Sequence, residues 1–135
     1  MNSKIQFTNW RTRQLKKLPG GIRRRVISTD KIMVVQYLYE PAAVFPAHQH
    51  PQEQIVLVVK GELEFWVENE NQKFYLRADS ILTIPGNILH GACVTGSEPV
   101  ESINIFHPIK EDFLNEAKEK STTEQKEFFK NKKTR

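Results

Sequence analysis

Between Lys31 and Phe106 the chain is a succession of short runs rich in β-branched and aromatic residues, each closed by a turn signal. The runs are Lys31 to Tyr39 (KIMVVQYLY), Ile55 to Val59, Glu62 to Glu68, Lys73 to Arg77, Ser80 to Ile84, His90 to Thr95 and Val100 to Phe106. Pro41, Pro46, Lys60-Gly61, Asn69-Glu70-Asn71, Ala78-Asp79 and Pro85-Gly86-Asn87 punctuate them. Glu62 to Glu68 alternates most cleanly: Leu63, Phe65 and Val67 share one face, while Glu62, Glu64, Trp66 and Glu68 share the other. That is the pattern of a half-buried antiparallel strand. No segment before Glu111 has a helical period, and short strands at intervals of roughly ten residues predict an all-β sandwich or barrel.

The ends differ from this middle. Residues 1–21 read as a polar, basic N-terminal arm closing at Pro19-Gly20-Gly21. Residues 22–110 hold the barrel, starting with a weakly alternating run from Ile22 to Ser28. Residues 111–135 are charged and helix-permissive, with Phe113, Leu114, Ala117, Phe128 and Phe129 as apolar points. They predict a short C-terminal helix and tail. A chain of 135 residues fits one domain, and it can bury ~65–70% of its unfolded surface, enough for a core around a small pocket.

Charge and cysteine content exclude several classes. The net charge of +4 hides an asymmetry: residues 1–25 carry eight basic groups and no acid, whereas the remainder has 12 basic against 16 acidic groups. The basic leader carries no nucleic-acid motif, and Phe7 and Trp10 do not make a stacking platform, so nucleic acid is not the expected partner. Arg23-Arg24-Arg25 reads as an exposed charge run, the alternative being that it places one guanidinium near the pocket. One cysteine, Cys93, excludes an internal disulfide framework. Without a signal-peptide core or a membrane-length apolar run, a cytoplasmic protein is expected.

The chemistry points to the histidines. His48 and His50 stand two apart, so in extended chain they share a face, and Gln54 keeps the same parity. Neutral imidazoles so placed can reach one ion. His90 follows Pro85 by five residues, where a strand breaks and the chain re-enters the barrel. Glu53 has the opposite parity to Gln54 and points away. Cys93, opposite in parity to His90, reads as a small structural residue, and Trp66 as a side chain covered by the arm, the tail or a second subunit.

His48-x-His50-x(3)-Gln54-x(6)-Gly61 followed by Pro85-x(4)-His90 resembles the paired motifs of the cupin superfamily, over residues 22–110. The resemblance implies a single small cupin barrel (a double-stranded β-helix or jelly roll) with the metal ligands His48, His50, Gln54 and His90. Ala42, Ala78 and Asn87 stand where those motifs carry glycine, and Val94 replaces a closing Asn. A His/His/Gln/His shell is neutral and leaves a divalent ion its full charge. That favours Lewis-acid work on anionic oxygen donors over the carboxylate-containing iron oxygenase triad. Ni, Zn, Mn, Fe and Co are not distinguished by these ligands.

HPQEQIVLVVKGELEF, IPGNILHGA and SINIFHPIKEDFL further resemble the KdgF-type cupins, which open the ring of unsaturated uronates. That resemblance implies an Asp-x-Phe-x(3)-Arg pattern on the last strand, which here reads Asn104-x-Phe106-x(3)-Lys110. Phe106 and Lys110 are then expected to bind substrate, with Asn104 and Lys110 as catalytic candidates. An amide cannot act as the general base an Asp provides, and a lysine lacks the guanidinium fork. The expected function is non-redox: ring opening, tautomerisation or isomerisation of a small sugar acid or keto/enol acid. The alternatives are a non-catalytic small-molecule binding cupin and a metal-dependent dioxygenase. The expected partners are a small anionic ligand and, from the resemblance, a second copy in a homodimer.

Overall fold

The computed structural model describes residues 4–68 and 71–120. Among them lie ten strands: β1 (Lys16–Leu18), β2 (Ile22–Ser28), β3 (Met33–Tyr39), β4 (Val44–His48), β5 (Glu53–Lys60), β6 (Leu63–Val67), β7 (Gln72–Leu76), β8 (Ile81–Ile84), β9 (His90–Val94) and β10 (Val100–His107). They form two antiparallel sheets, ordered β1-β2-β3-β10-β5-β8 and β4-β9-β6-β7. This is a jelly-roll barrel, as the strand rhythm predicts.

Alternation builds the core. Val26 on β2, Met33 and Val35 on β3, Val56 and Val58 on β5, Leu63 and Phe65 on β6, Ala92 and Val94 on β9, and Phe106 on β10 all turn inward and are buried. Each such side chain contributes ~1.5–3 kcal/mol on burial. The chain leaves the six-stranded sheet after Lys60 and enters the four-stranded one at Leu63. Gly61 makes that step, with φ 86° and the Pro99 carbonyl oxygen only 2.6 Å from where a Cβ would stand. No other residue fits both constraints.

The glycine replacements read from the sequence have different fates. Ala42 adopts φ 66° and Asn87 φ 62°. Asn tolerates this left-handed region, whereas Ala adopts it at a cost of about 1–2 kcal/mol. Near Ala78 it is Asp79 that takes positive φ, at 74°.

The ends are more integrated than a polar arm and a free tail. β1 pairs with β2 through Lys16↔Arg24 to Leu18↔Ile22 and so extends the large sheet. Glu111–Glu116 forms a 3-10 turn that buries Phe113 and Glu116 against the barrel. The chain then meets the arm: the Gln14 N–H donates to the Lys118 carbonyl at 2.9 Å, and the Lys120 N–H donates to the Thr12 carbonyl at 2.8 Å. Residues 121–135, with Phe128 and Phe129, lie outside the described residues.

Candidate metal centre

The three histidines converge by a route that strand parity describes only in part. His48 closes β4 and pairs with His90 at the start of β9. The β4–β9 register shifts between Phe45 and His48, so a bulge at Pro46-Ala47 lets Phe45 and His48, three apart, both turn inward. Bulges commonly re-aim side chains in this way beside functional sites. His50 is not on a strand; it sits in the bend between β4 and β5, and Gln54 follows on β5. The two histidines are not both on one strand, since β4 ends at His48, but they share a face as expected, and the chain bends after them at Pro51 and Gln52 before Gln54.

The ring centroids are 4.3 Å apart for His48 and His90, 5.1 Å for His50 and His90, and 5.4 Å for His48 and His50. One nitrogen from each lies within 4.8 Å of the other two. Each Nδ1 faces a backbone carbonyl: Pro46 at 2.9 Å for His48, Gln52 at 3.0 Å for His50 and Ile88 at 2.7 Å for His90. A carbonyl only accepts, so every Nδ1 carries its proton and every Nε2 presents a lone pair. The Nε2 atoms of His50 and His90 are buried without a hydrogen-bond partner, as is Gln54 Oε1. Orphaned buried acceptors gathered at one point are costly unless something electropositive meets them. The donor set therefore fits a divalent metal ion held by His48, His50, His90 and Gln54.

Gln54 is held in its orientation by Asn104. The Asn104 Nδ2 donates to Ser102 Oγ at 2.9 Å and lies 3.5 Å from the Val35 carbonyl, which turns its Oδ1 toward Gln54. The Gln54 Nε2 donates to that oxygen at 2.9 Å, leaving Oε1 free. Burial lowers the pKa of all three histidines, that of His48 to about 4, and their mutual repulsion and Lys110 reinforce this for His48 and His50. The rings are thus neutral ligands at ordinary pH.

The adjoining cavity is lined by Tyr37, Tyr39, Phe45, Phe65, Phe106 and Lys110 besides His48, Gln54, His90 and Asn104, and has a volume of about 10 Å³. That is room for one ion or one water. Phe106 is fully buried and stands edge-on to His50, with centroids 5.6 Å apart. Lys110 is half-buried, its Nζ 5.1 Å from the Phe106 ring and 4.3 Å from the Phe113 ring, and burial lowers its pKa. Burial raises the Tyr37 hydroxyl to about 12 and raises Tyr39 as well.

Other residues fall outside the site. Glu53 is exposed on the outer face, 4.0 Å from the exposed His107. Cys93 points outward, and burial with the Glu64 carboxylate nearby raises its pKa, so it holds no thiolate. Trp66 lies over Gly91, where a Cβ would come within 2.7 Å of the indole. The sequence reading missed Tyr37 and Tyr39 as cavity walls, although the alternation in KIMVVQYLY carries that signal. It also favoured exposure for Arg24. Ile22, Arg24 and Val26 alternate inward on β2, so the middle arginine of the run is a partly buried side chain and not a solvated one.

The fold is a small antiparallel jelly roll with three inward histidines and a glutamine gathered at one site. A cupin domain model matches residues 35–106, more than half of the chain, and the chain belongs to the cupin family. No curated protein matches it. An RmlC-like cupin from Shewanella frigidimarina is similar over 84% of this chain and 100% of that one, with 24% identity and a TM-score of 0.75. KdgF from Halomonas sp. is similar over 82% and 100%, with 26% identity and a TM-score of 0.74. AerE from Microcystis aeruginosa is similar over 73% and 47%, with 26% identity and a TM-score of 0.67.

Proposed function

We propose that this cupin is a metal-dependent, non-redox enzyme acting on a small sugar acid or keto/enol acid by tautomerisation, isomerisation or ring opening. The observation that carries this is the set of unpartnered Nε2 and Oε1 acceptors, all neutral, beside a half-buried lysine. The likeness to KdgF supports the same class.

His48, His50, Gln54 and His90 hold the ion. A divalent ion there supplies Lewis acidity toward a carbonyl or carboxylate oxygen, undiminished by any charged ligand. Lys110 meets the acid's carboxylate, and its lowered pKa suits it to hand a proton to the enol carbon and take back the proton that the enol oxygen gives up as the carbonyl forms. Phe106 and Phe45 wall the reacting atoms from water. Asn104 is not the base: its oxygen is taken by Gln54 and its amide hydrogens by Ser102 and Val35, so it serves as a positioning residue.

That same consumption of Asn104 favours the second reading, a cupin that binds a small acid without converting it. Metal analysis of purified wild-type protein and His50→Ala comes first; an equal, negligible content in both overturns the enzyme reading. The loaded protein is then offered unsaturated uronates and enolisable keto acids. Conversion above that of His50→Ala supports catalysis, whereas acid binding without turnover supports the binding module.

The homodimer expected from the resemblance has a candidate surface on the outer face of the six-stranded sheet, where Ile55, Val59 and Ile81 are exposed. Sedimentation of Ile81→Lys beside the wild type tests it; a dimer in both places the contact elsewhere.

A further inference from the structure

The cavity beside the histidines has room for about one water, and an acid reaching it has to meet the chain that follows Lys110 at its edge. Directly after the lining residue Lys110 comes the 3-10 turn Glu111–Glu116, which lies between the end of β10 and the contact with the arm and buries Phe113 and Glu116. It is attached to the barrel by Phe113, which joins the core, and by one ion pair. Arg24 Nε and Nη2 donate to Glu116 Oε1 and Oε2, both at 2.8 Å, in a paired fork. The two side chains are only 11% and 10% exposed. The Arg24 guanidinium stacks on Phe113 at 3.8 Å, and Lys110 sits at 4.3 Å from the same ring. Arg24 also contacts the Tyr37 hydroxyl, and the Tyr37 ring is part of the cavity wall.

Two cations thus flank Phe113 at the edge of the cavity, and the carboxylate beside them belongs to the protein itself. We propose that Arg24 and Lys110 together form a carboxylate subsite, and that Glu116 is its internal occupant when no ligand is bound. The ligand's carboxylate replaces Glu116 on the Arg24 fork, and the 111–116 turn, whose Phe113 ring lies against both cations, swings aside to make room. The exchange is one ion pair for another, so Arg24 is never left buried and unpaired, a state that is strongly unfavourable. The fork geometry explains why an arginine stands here: it binds a planar carboxylate through two parallel hydrogen bonds, which a lysine does not. Both ends of the turn stay fixed, by β10 on one side and by the Gln14–Lys118 and Thr12–Lys120 hydrogen bonds on the other, which bounds the swing. The ligand class is accordingly a small carboxylic acid with a second oxygen donor for the metal. This subsite rests on the proposed function for the metal and for Lys110, but Arg24 and Glu116 add a component that reading does not contain.

The test titrates metal-loaded, full-length protein with malonate by calorimetry. Glu116→Gln removes the competing charge and is expected to tighten malonate binding about tenfold, the scale of one charge-assisted hydrogen bond. The double variant Arg24→Gln/Glu116→Gln keeps two hydrogen-bonding neutral side chains in the same space, and is expected to bind more weakly than wild type. Glu116→Gln binding no tighter than wild type, or the double variant matching Glu116→Gln, overturns the subsite while leaving the metal centre intact. Absence of malonate binding in wild type and Glu116→Gln alike overturns both readings. Hydrogen exchange of wild type gives a readout that needs no variant: the Phe113 and Ala117 amides, bonded to the Lys110 and Leu114 carbonyls, should lose protection on addition of malonate. Unchanged protection counts against the swing.

Discussion

The Gln54 amide donates to Asn104 at 2.9 Å, and this one hydrogen bond decides that oxygen, not nitrogen, faces the histidines. A carboxamide presents either end with nearly the same shape, so a ligand glutamine needs an outside group to fix it. Asn104 does so because its own nitrogen is committed to Ser102 and Val35. Asn104 therefore acts on the candidate metal centre through Gln54.

Asn104→Leu should accordingly lower metal affinity about 10–100-fold, the usual effect of losing a group that orients a ligand. Competition with a chromophoric chelator measures this. Affinity unchanged in a folded variant would show that Gln54 needs no orienting partner.

Ala42→Gly should raise stability. The φ of 66° costs an alanine more than glycine loses in unfolded-chain entropy, so a gain of about 0.5–1 kcal/mol is expected. Urea unfolding reads it, and a loss of stability would mean that the alanine methyl makes contacts outweighing its backbone strain.

Gly91→Ala should destabilise by about 1–3 kcal/mol, because the added methyl overlaps a packed ring. The Trp66 indole stands 2.7 Å from the ideal Cβ position. Repeating the substitution in a Trp66→Leu background should recover most of the loss, which thermal unfolding of the four proteins resolves.

Stability of the metal-free protein should fall with acidification. Burial holds His48 near 4 against 6.5 in the unfolded chain and lowers His50 and His90 in the same direction. Between these values the unfolded chain binds more protons than the folded one, so stability is complete above about pH 6.5 and declines as pH falls toward 4. Urea midpoints at pH 7.5, 6 and 5 test the slope, and His48→Leu should flatten it.

Much of the fold was legible before any coordinates. Leu63, Phe65 and Val67 alternate with charged or amphipathic neighbours, and Gly61 and the proline-centred breaks mark where strands end, because period and turn chemistry are local properties. The identities of His48, His50, Gln54 and His90 were legible too, as a motif. What no local pattern encodes is the Pro46-Ala47 bulge, which depends on the pairing of β4 with β9 and brings His48 opposite His90. Arg24 was legible only in part: its parity with Ile22 and Val26 is local, but its partners Tyr37 and Glu116 are set only once β2 is registered against β3 and the 111–116 turn packs on it.

The sequence by itself thus determined the strands, the breaks between them and the chemical types of the metal-facing donors, since these follow from side-chain period and from the donor atoms each residue carries. Only the tertiary structure decided which atom of each donor points inward, that Asn104 is spent on holding Gln54, and that Glu116 lies on Arg24. Those outcomes depend on hydrogen bonds between residues 50 and 92 positions apart, and such partners meet only once the two sheets have closed on each other.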